Sequence, residues 1–215
     1  MIIGIDSSVG TAVAVVSDDG FIHAQLGIAD TRGHAERIGE LIVDALAAAQ
    51  LSADAISHVA YGTGPGPFTG LRVGIAAAQA FAWARELPLV PVCSHDAVAM
   101  NRILADALTG VEPAPFAVVT DARRRELAYT VYAGADQDGL PERIHPPALL
   151  SVSELDQRLT ELGAPRVDAT EIPASALAIV AARALAAGRT VADTQPLYLR
   201  APDVTLPSAP KRVTA

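Results

Sequence analysis

The segment spanning residues 61–74, Tyr-Gly-Thr-Gly-Pro-Gly-Pro-Phe-Thr-Gly-Leu-Arg-Val-Gly, constrains the fold more than any other part of the chain. It ends a short apolar strand and opens a helix. Pro65 and Pro67 fix φ and donate no N–H, the glycines allow close backbone approach, and Thr69 is placed to cap a helix over 71–86. A helix N-terminus under such a loop offers unpaired N–H groups to an anion, so Gly64, Gly66 and Thr69 are candidates for a phosphate or nucleotide contact. A purely structural strand-to-helix turn explains the same residues equally well. The two commonest phosphate motifs are absent. Gly70-Leu71-Arg72 stands where a Walker loop has Gly-Lys-Ser/Thr, and Pro67 stands where the dinucleotide fingerprint has its third glycine.

Hydrophobic patterning around the loop predicts an α/β chain. Residues 1–6, 11–17 and 21–26 read as a meander of three strands, with Asp19-Gly20 as a hairpin signal. A helix over 34–50, a strand over 56–62, the loop, a helix over 71–86, a strand over 89–93 and a helix from Ser94 follow. After the Pro-rich break at 111–115, the runs 116–121 and 126–133 read as paired strands, with Leu149 and Leu150 in a third. A Ser-x-x-Glu capping box at Ser151 and Glu154 opens a helix over 151–162, and an Ala-rich helix covers 173–187. Two unequal halves of similar order suggest a duplicated α/β unit. The expected division is a first domain over 1–103, a smaller α/β domain over 104–200, and an extended or disordered tail over 201–215.

Composition narrows the function. Of 215 residues 51% are apolar but 4% aromatic, so the core is built from Ala, Val, Leu and Ile. The apolar runs are too short for a membrane span and no signal peptide is evident, which gives a cytoplasmic expectation. Cys93 is the sole cysteine, so neither an internal disulfide nor a cysteine metal cluster is available. A net charge of −8 argues against unaided binding of nucleic acid, so any RNA contact is expected to be indirect.

Few residues carry recognisable chemistry. Asp6-Ser7-Ser8 at the end of the first strand places an acid and two hydroxyls where a phosphate or metal can sit, and an Asx-turn explains them as well. The histidines at 23, 34, 58, 95 and 145 never recur at helical metal spacing. Arg123, Arg124 and Arg125 form a basic turn, read as a solvated hairpin or as an anion or partner contact. In the 34–50 helix Ile38, Leu41, Ile42, Ala45, Leu46 and Ala49 form a sheet-facing stripe. The 71–86 helix is apolar nearly all round, which suggests burial on two sides, one against the sheet and the other against a second polypeptide or a thick internal layer.

The opening Ile-Gly-Ile-Asp-Ser-Ser, His34 at a helix start, the Gly64–Gly74 element, Asp121-Ala-Arg-Arg124 and Pro196-Leu-Tyr-Leu-Arg200 together resemble the TsaB (YeaZ) family of bacterial tRNA threonylcarbamoyladenosine biosynthesis. The resemblance implies an actin-like/RNase H-like (ASKHA) fold with a reduced second domain. It also implies a non-catalytic subunit that binds the TsaD transferase, with the TsaE ATPase as a further partner, a homodimer when alone, no cofactor of its own, and ATP or ADP near the subunit interface. TsaD carries a His-x-x-x-His metal site, and the matching positions here are Ser94 and Val98, neither of which replaces histidine. The partner interface is assigned to His34, Ile38, Leu41, Ile42, Ala45, Leu71, Ile75, Ala78 and Ala82. The alternative is an independent ATP-dependent phosphotransferase or hydrolase of the same superfamily.

Overall fold

The computed structural model describes residues 1–29 and 34–200. Strands β1 (Ile2–Asp6), β2 (Thr11–Val16) and β3 (Ile22–Ile28) form the expected antiparallel meander, with Ile2 opposite Val16 and Asp6 opposite Ala12. After helix α1 (His34–Ala48), β4 (His58–Gly62) pairs parallel to β1. Helix α2 (Phe68–Ala84) then leads to β5 (Leu89–Val92), parallel to β4, giving the order β3-β2-β1-β4-β5.

Both faces of this sheet are covered, which is why β1 and β2 are buried throughout and apolar except at Asp6 and Thr11. Ile3, Ile5, Val13, Val15, Val59 and Tyr61 pack under α1 and α2. On the other face Ile2, Ala14, Val16 and Ala60 meet α3 (Ser94–Thr109) and α5 (Ala174–Ala186). A Cβ at Gly4 would strike the Ala174 carbonyl, so glycine lets α5 lie directly on β1.

The second sheet, ordered β8-β7-β6-β9, consists of β6 (Phe116–Asp121), β7 (Glu126–Ala135), β8 (Pro141–Ser151) and β9 (Arg166–Asp168). Leu155 and Leu159 of α4 (Val152–Leu162) cover one face, while Phe116, Val118 and Tyr132 on the other join the α3/α5 core. Helices α3 and α5 thus lie between the two sheets.

Two expectations are corrected and one strand went unforeseen. The strand seen in outline at Leu149 and Leu150 extends back to Pro141, because an edge strand tolerates Pro141, Pro146 and Pro147. Strand β9 is too short and too polar to show a period. Thr69 does not cap α2: Pro67 occupies the cap position, its carbonyl accepting the Leu71 N–H at 3.0 Å, and Thr69 falls inside the first turn. The capping box at Ser151 and Glu154 forms as expected. The 201–215 tail lies outside the described residues. Among those described, no helix is long and apolar enough to cross a membrane.

Candidate functional site at the strand ends

Parallel pairing brings the carboxyl ends of β1, β4 and β5 side by side, the place where open α/β sheets commonly bind ligands. Asp6, Gly62 and Ser94 meet there. Asp6 Oδ1 accepts the Ser8 N–H at 2.7 Å and the Ser8 hydroxyl at 2.6 Å, and Oδ2 accepts the Ser94 hydroxyl at 2.5 Å. The Ser94 Oγ in turn accepts the Gly64 N–H at 3.1 Å. Burial pushes the Asp6 carboxyl above its ordinary range, and the Ser8 and Ser94 bonds offset part of that shift.

The neighbouring loop closes over this cluster. Ser7 Oγ donates to the Gly70 carbonyl at 2.6 Å and accepts the Gly74 N–H at 2.8 Å, fastening the first turn of α2 to the end of β1. A Cβ at Gly62 would overlap the Asp6 carboxylate, so a glycine is needed there for space. Gly66 lies against Ser8, and the Gly64–Pro65 peptide is cis.

Of the candidate phosphate or nucleotide residues, Asp6, Ser7, Ser8, Gly64 and Gly66 are therefore brought together. Asp6, Ser7 and Ser8 are 1–3% exposed, and their polar atoms are spent on one another and on the loop. Thr69 is exposed on the other side of the loop, beside the α1/α2 groove, and does not join them.

A strap missed by the sequence reading lies across this loop. The Leu197 N–H donates to the Thr63 carbonyl at 2.7 Å, and the Tyr61 hydroxyl to the Thr194 carbonyl at 3.2 Å. Tyr198 stacks on Phe68 at 4.5 Å, while Arg72 sits 3.8 Å over the Phe68 ring and donates to the Tyr198 hydroxyl. The aromatic pair was the available signal, but 130 positions separate Phe68 from Tyr198 in sequence, and no local pattern links them.

The start of α3 is equally closed. His95 is fully buried, with Nδ1 2.8 Å from Thr130 Oγ1 and Nε2 2.9 Å from Thr120 Oγ1, and burial lowers its pKa to about 3. Asp96 pairs with Arg143 of β8 and accepts the Tyr132 hydroxyl at 2.8 Å. The Cys93 thiol is pushed up to about 12, mainly by burial, so it behaves as a small apolar group. Among the described residues no group of three or more His, Cys, Asp or Glu side chains stands where it could hold a metal ion.

The partner-interface assignment needs revision. Ile38, Leu41, Ile42, Ala45, Leu71, Ile75, Ala78 and Ala82 are all buried within the chain itself. They repeat at three- and four-residue spacing, so the sheet claims them first. The side chain of His34, the first residue of α1, lies outside the described residues. Apolar surface remains open elsewhere on the two helices, where Val43 is 64% and Trp83 74% exposed. A groove of about 520 Å³ between the helices is lined by Ile38, Phe68, Thr69, Arg72, Val73, Ala76 and Ala77.

Residues 26–192 match a family model described as TsaD, tRNA N6-adenosine threonylcarbamoyltransferase. An uncharacterized Mycobacterium leprae protein is 37% identical over 77% of this chain, which spans 43% of that relative's length. The Escherichia coli tRNA threonylcarbamoyladenosine biosynthesis protein TsaB is 30% identical over 75% of this chain and 67% of its own. A Pseudomonas aeruginosa structure described by its similarity to YeaZ superposes with a TM-score of 0.71 and 26% identity, over 93% of this chain and 99% of its own. The fold is accordingly of the actin-like/RNase H-like type. By its sequence match to TsaB and its superposition on a YeaZ-like structure, the chain belongs to the TsaB (YeaZ) family.

Proposed function

We propose that the chain is a non-catalytic subunit of the machinery that makes threonylcarbamoyladenosine in tRNA, binding a TsaD-type transferase through the open faces of α1 and α2. The observation that carries this reading is the packed strand-end junction. Asp6 is 1% exposed and bonded to Ser8 and Ser94, so its carboxylate is not free to meet a nucleotide or activate water. An independent phosphotransferase or hydrolase needs that group free.

The same junction suits a scaffold. It fixes α2 to β1 through Ser7, and so holds the outer surface around Ala76, Ala80 and Trp83 in one orientation. Its effect on a transferase would come from binding the active conformation better than the inactive one. On its own the chain would pair copies through this apolar surface, and an ATPase partner and its nucleotide would act on the assembled complex.

The test is reconstitution with the transferase homologue and unmodified tRNA. The complex should form, and modification should fall at least tenfold when the chain is omitted. Ala76→Glu combined with Trp83→Glu should dissolve the complex while the chain stays folded. Full modification without the chain, or a complex indifferent to that double variant, overturns the reading.

A further inference from the structure

The β6–β7 turn breaks two rules that the rest of the chain keeps. Arg123, Arg124 and Arg125 have φ of 63°, 55° and 64°, the left-handed region that side-chain-bearing residues avoid. Elsewhere among the described residues positive φ falls on eight glycines and on Gln50 and Glu86, each just past a helix end. Arg123–Arg125 is the one run of consecutive non-glycine residues with positive φ among those described, and such strain gathers at working sites.

The second rule is charge pairing. Every other described arginine gives its guanidinium a carboxylate, carbonyl or aromatic partner. Arg123 and Arg125 have no such partner among the described residues, and all three arginines of the turn are exposed. The neighbouring acids are already engaged. Asp121 Oδ1 accepts the Arg123 N–H at 2.8 Å, and Glu126 is paired with Arg200 from the end of the strap. The turn is closed by the Ala122 N–H to the Glu126 carbonyl and the Glu126 N–H to the Arg123 carbonyl, so the guanidinium groups project from one rigid tip.

We infer that this tip binds the phosphate backbone of RNA. Planar guanidinium groups match phosphate oxygens with two parallel hydrogen bonds. The turn itself, residues 121–126, carries no aromatic side chain for base stacking, so the contact reads backbone and not sequence. A chain of net charge −8 cannot hold RNA over a broad surface, but one local cluster can add contacts to RNA held mainly by a partner. This inference rests on the reading that the chain works on tRNA beside a transferase.

The experiment titrates fluorescently labelled, unmodified tRNA with the full chain, alone in low salt and in its complex with the transferase, across a salt series. Replacing both residues, Arg123→Glu and Arg125→Glu, should weaken binding about tenfold and flatten the slope of log K against log salt by about 1.5. Arg123→Lys with Arg125→Lys should restore most of the slope, whereas the neutral pair Arg123→Gln and Arg125→Gln should not, and the Gln pair decides if the charge-reversed protein fails to fold. An unchanged slope in the variants overturns the inference even where the complex assembles normally. Weakened transferase binding at constant tRNA slope also overturns it, and assigns the tip to an acidic protein surface. If wild type does not join the transferase, the scaffold reading falls, while the low-salt titration of the chain alone still decides the tip, and absence of measurable binding there rejects it.

Discussion

Two turns at strand ends treat the same physical constraints in opposite ways. At the β1/β4/β5 junction, glycine stands where space demands it, and Asp6 and Ser7 are fully committed to neighbours. At the β6–β7 turn the backbone favours glycine and the chain supplies three arginines, two of them without a guanidinium partner among the described residues. The first turn has the marks of a part selected for rigidity. The second keeps a costly conformation that no contact of the Arg123 or Arg125 guanidinium among the described residues explains.

The sealed turn can be broken with one methyl group. Gly62→Ala drives Cβ into the Asp6 carboxylate and towards Ser94 Oγ, which overpacks the junction and frees a buried charge from its hydroxyl partner. Overpacking costs about 2–3 kcal/mol and the disrupted carboxylate a similar amount, so the loss should approach ~5 kcal/mol. Urea unfolding measures it. A loss below ~1 kcal/mol would mean that the junction is plastic and that Asp6 can turn outwards.

His95 links the two turns, since it follows Ser94 and contacts Thr120, the residue before Asp121. Its pKa is lowered to about 3 by burial, while in the unfolded chain it is ordinary. Between those values the unfolded state binds the extra proton, so this stabilisation is complete above about pH 6.5 and drains away as pH falls towards 3. The loss is on the order of 4 kcal/mol. Asp6 and Asp96, both raised by burial, act in the opposite sense, since the native state binds their protons more tightly. Comparing His95→Gln with wild type separates the effects. The variant should lose stability at pH 7 and show a flatter acid limb in urea midpoints measured from pH 7 to 4. Parallel limbs would assign the acid sensitivity elsewhere.

The sealed turn was more legible in sequence than the surfaces around it. Gly/Pro spacing, the Asp-Ser-Ser strand end and the hairpin signal at Asp19-Gly20 are local, and each produced the element or junction that its backbone chemistry requires. The strap was not legible, because Tyr198 meets Phe68 and Leu197 meets Thr63 only after both halves have folded. The partner assignment failed for a related reason. Periodicity identifies an apolar stripe but not its occupant, and the sheet fills the stripe containing Ile42 and Ala78, leaving Val43 and Trp83 outside. The three arginines read as a solvated hairpin or as an anion or partner contact, since nothing in their identity announces a positive φ.

The open turn yields the smallest effect, and it carries the opposite sign. Arg125 has a φ of 64° and donates to no described residue, so Arg125→Gly removes backbone strain without deleting a contact within the described chain. Left-handed geometry costs a non-glycine residue about 1–2 kcal/mol, and glycine returns part of that through the greater freedom of the unfolded chain. A net gain of about 0.5–1 kcal/mol remains, worth roughly 1–4 °C in Tm for a chain of this size. Scanning calorimetry detects such a rise. A chain that becomes more stable when an exposed arginine is removed is keeping that arginine for something other than its fold, whereas a fall in Tm would make the turn a structural element like the one at Gly62 and erase the contrast between them.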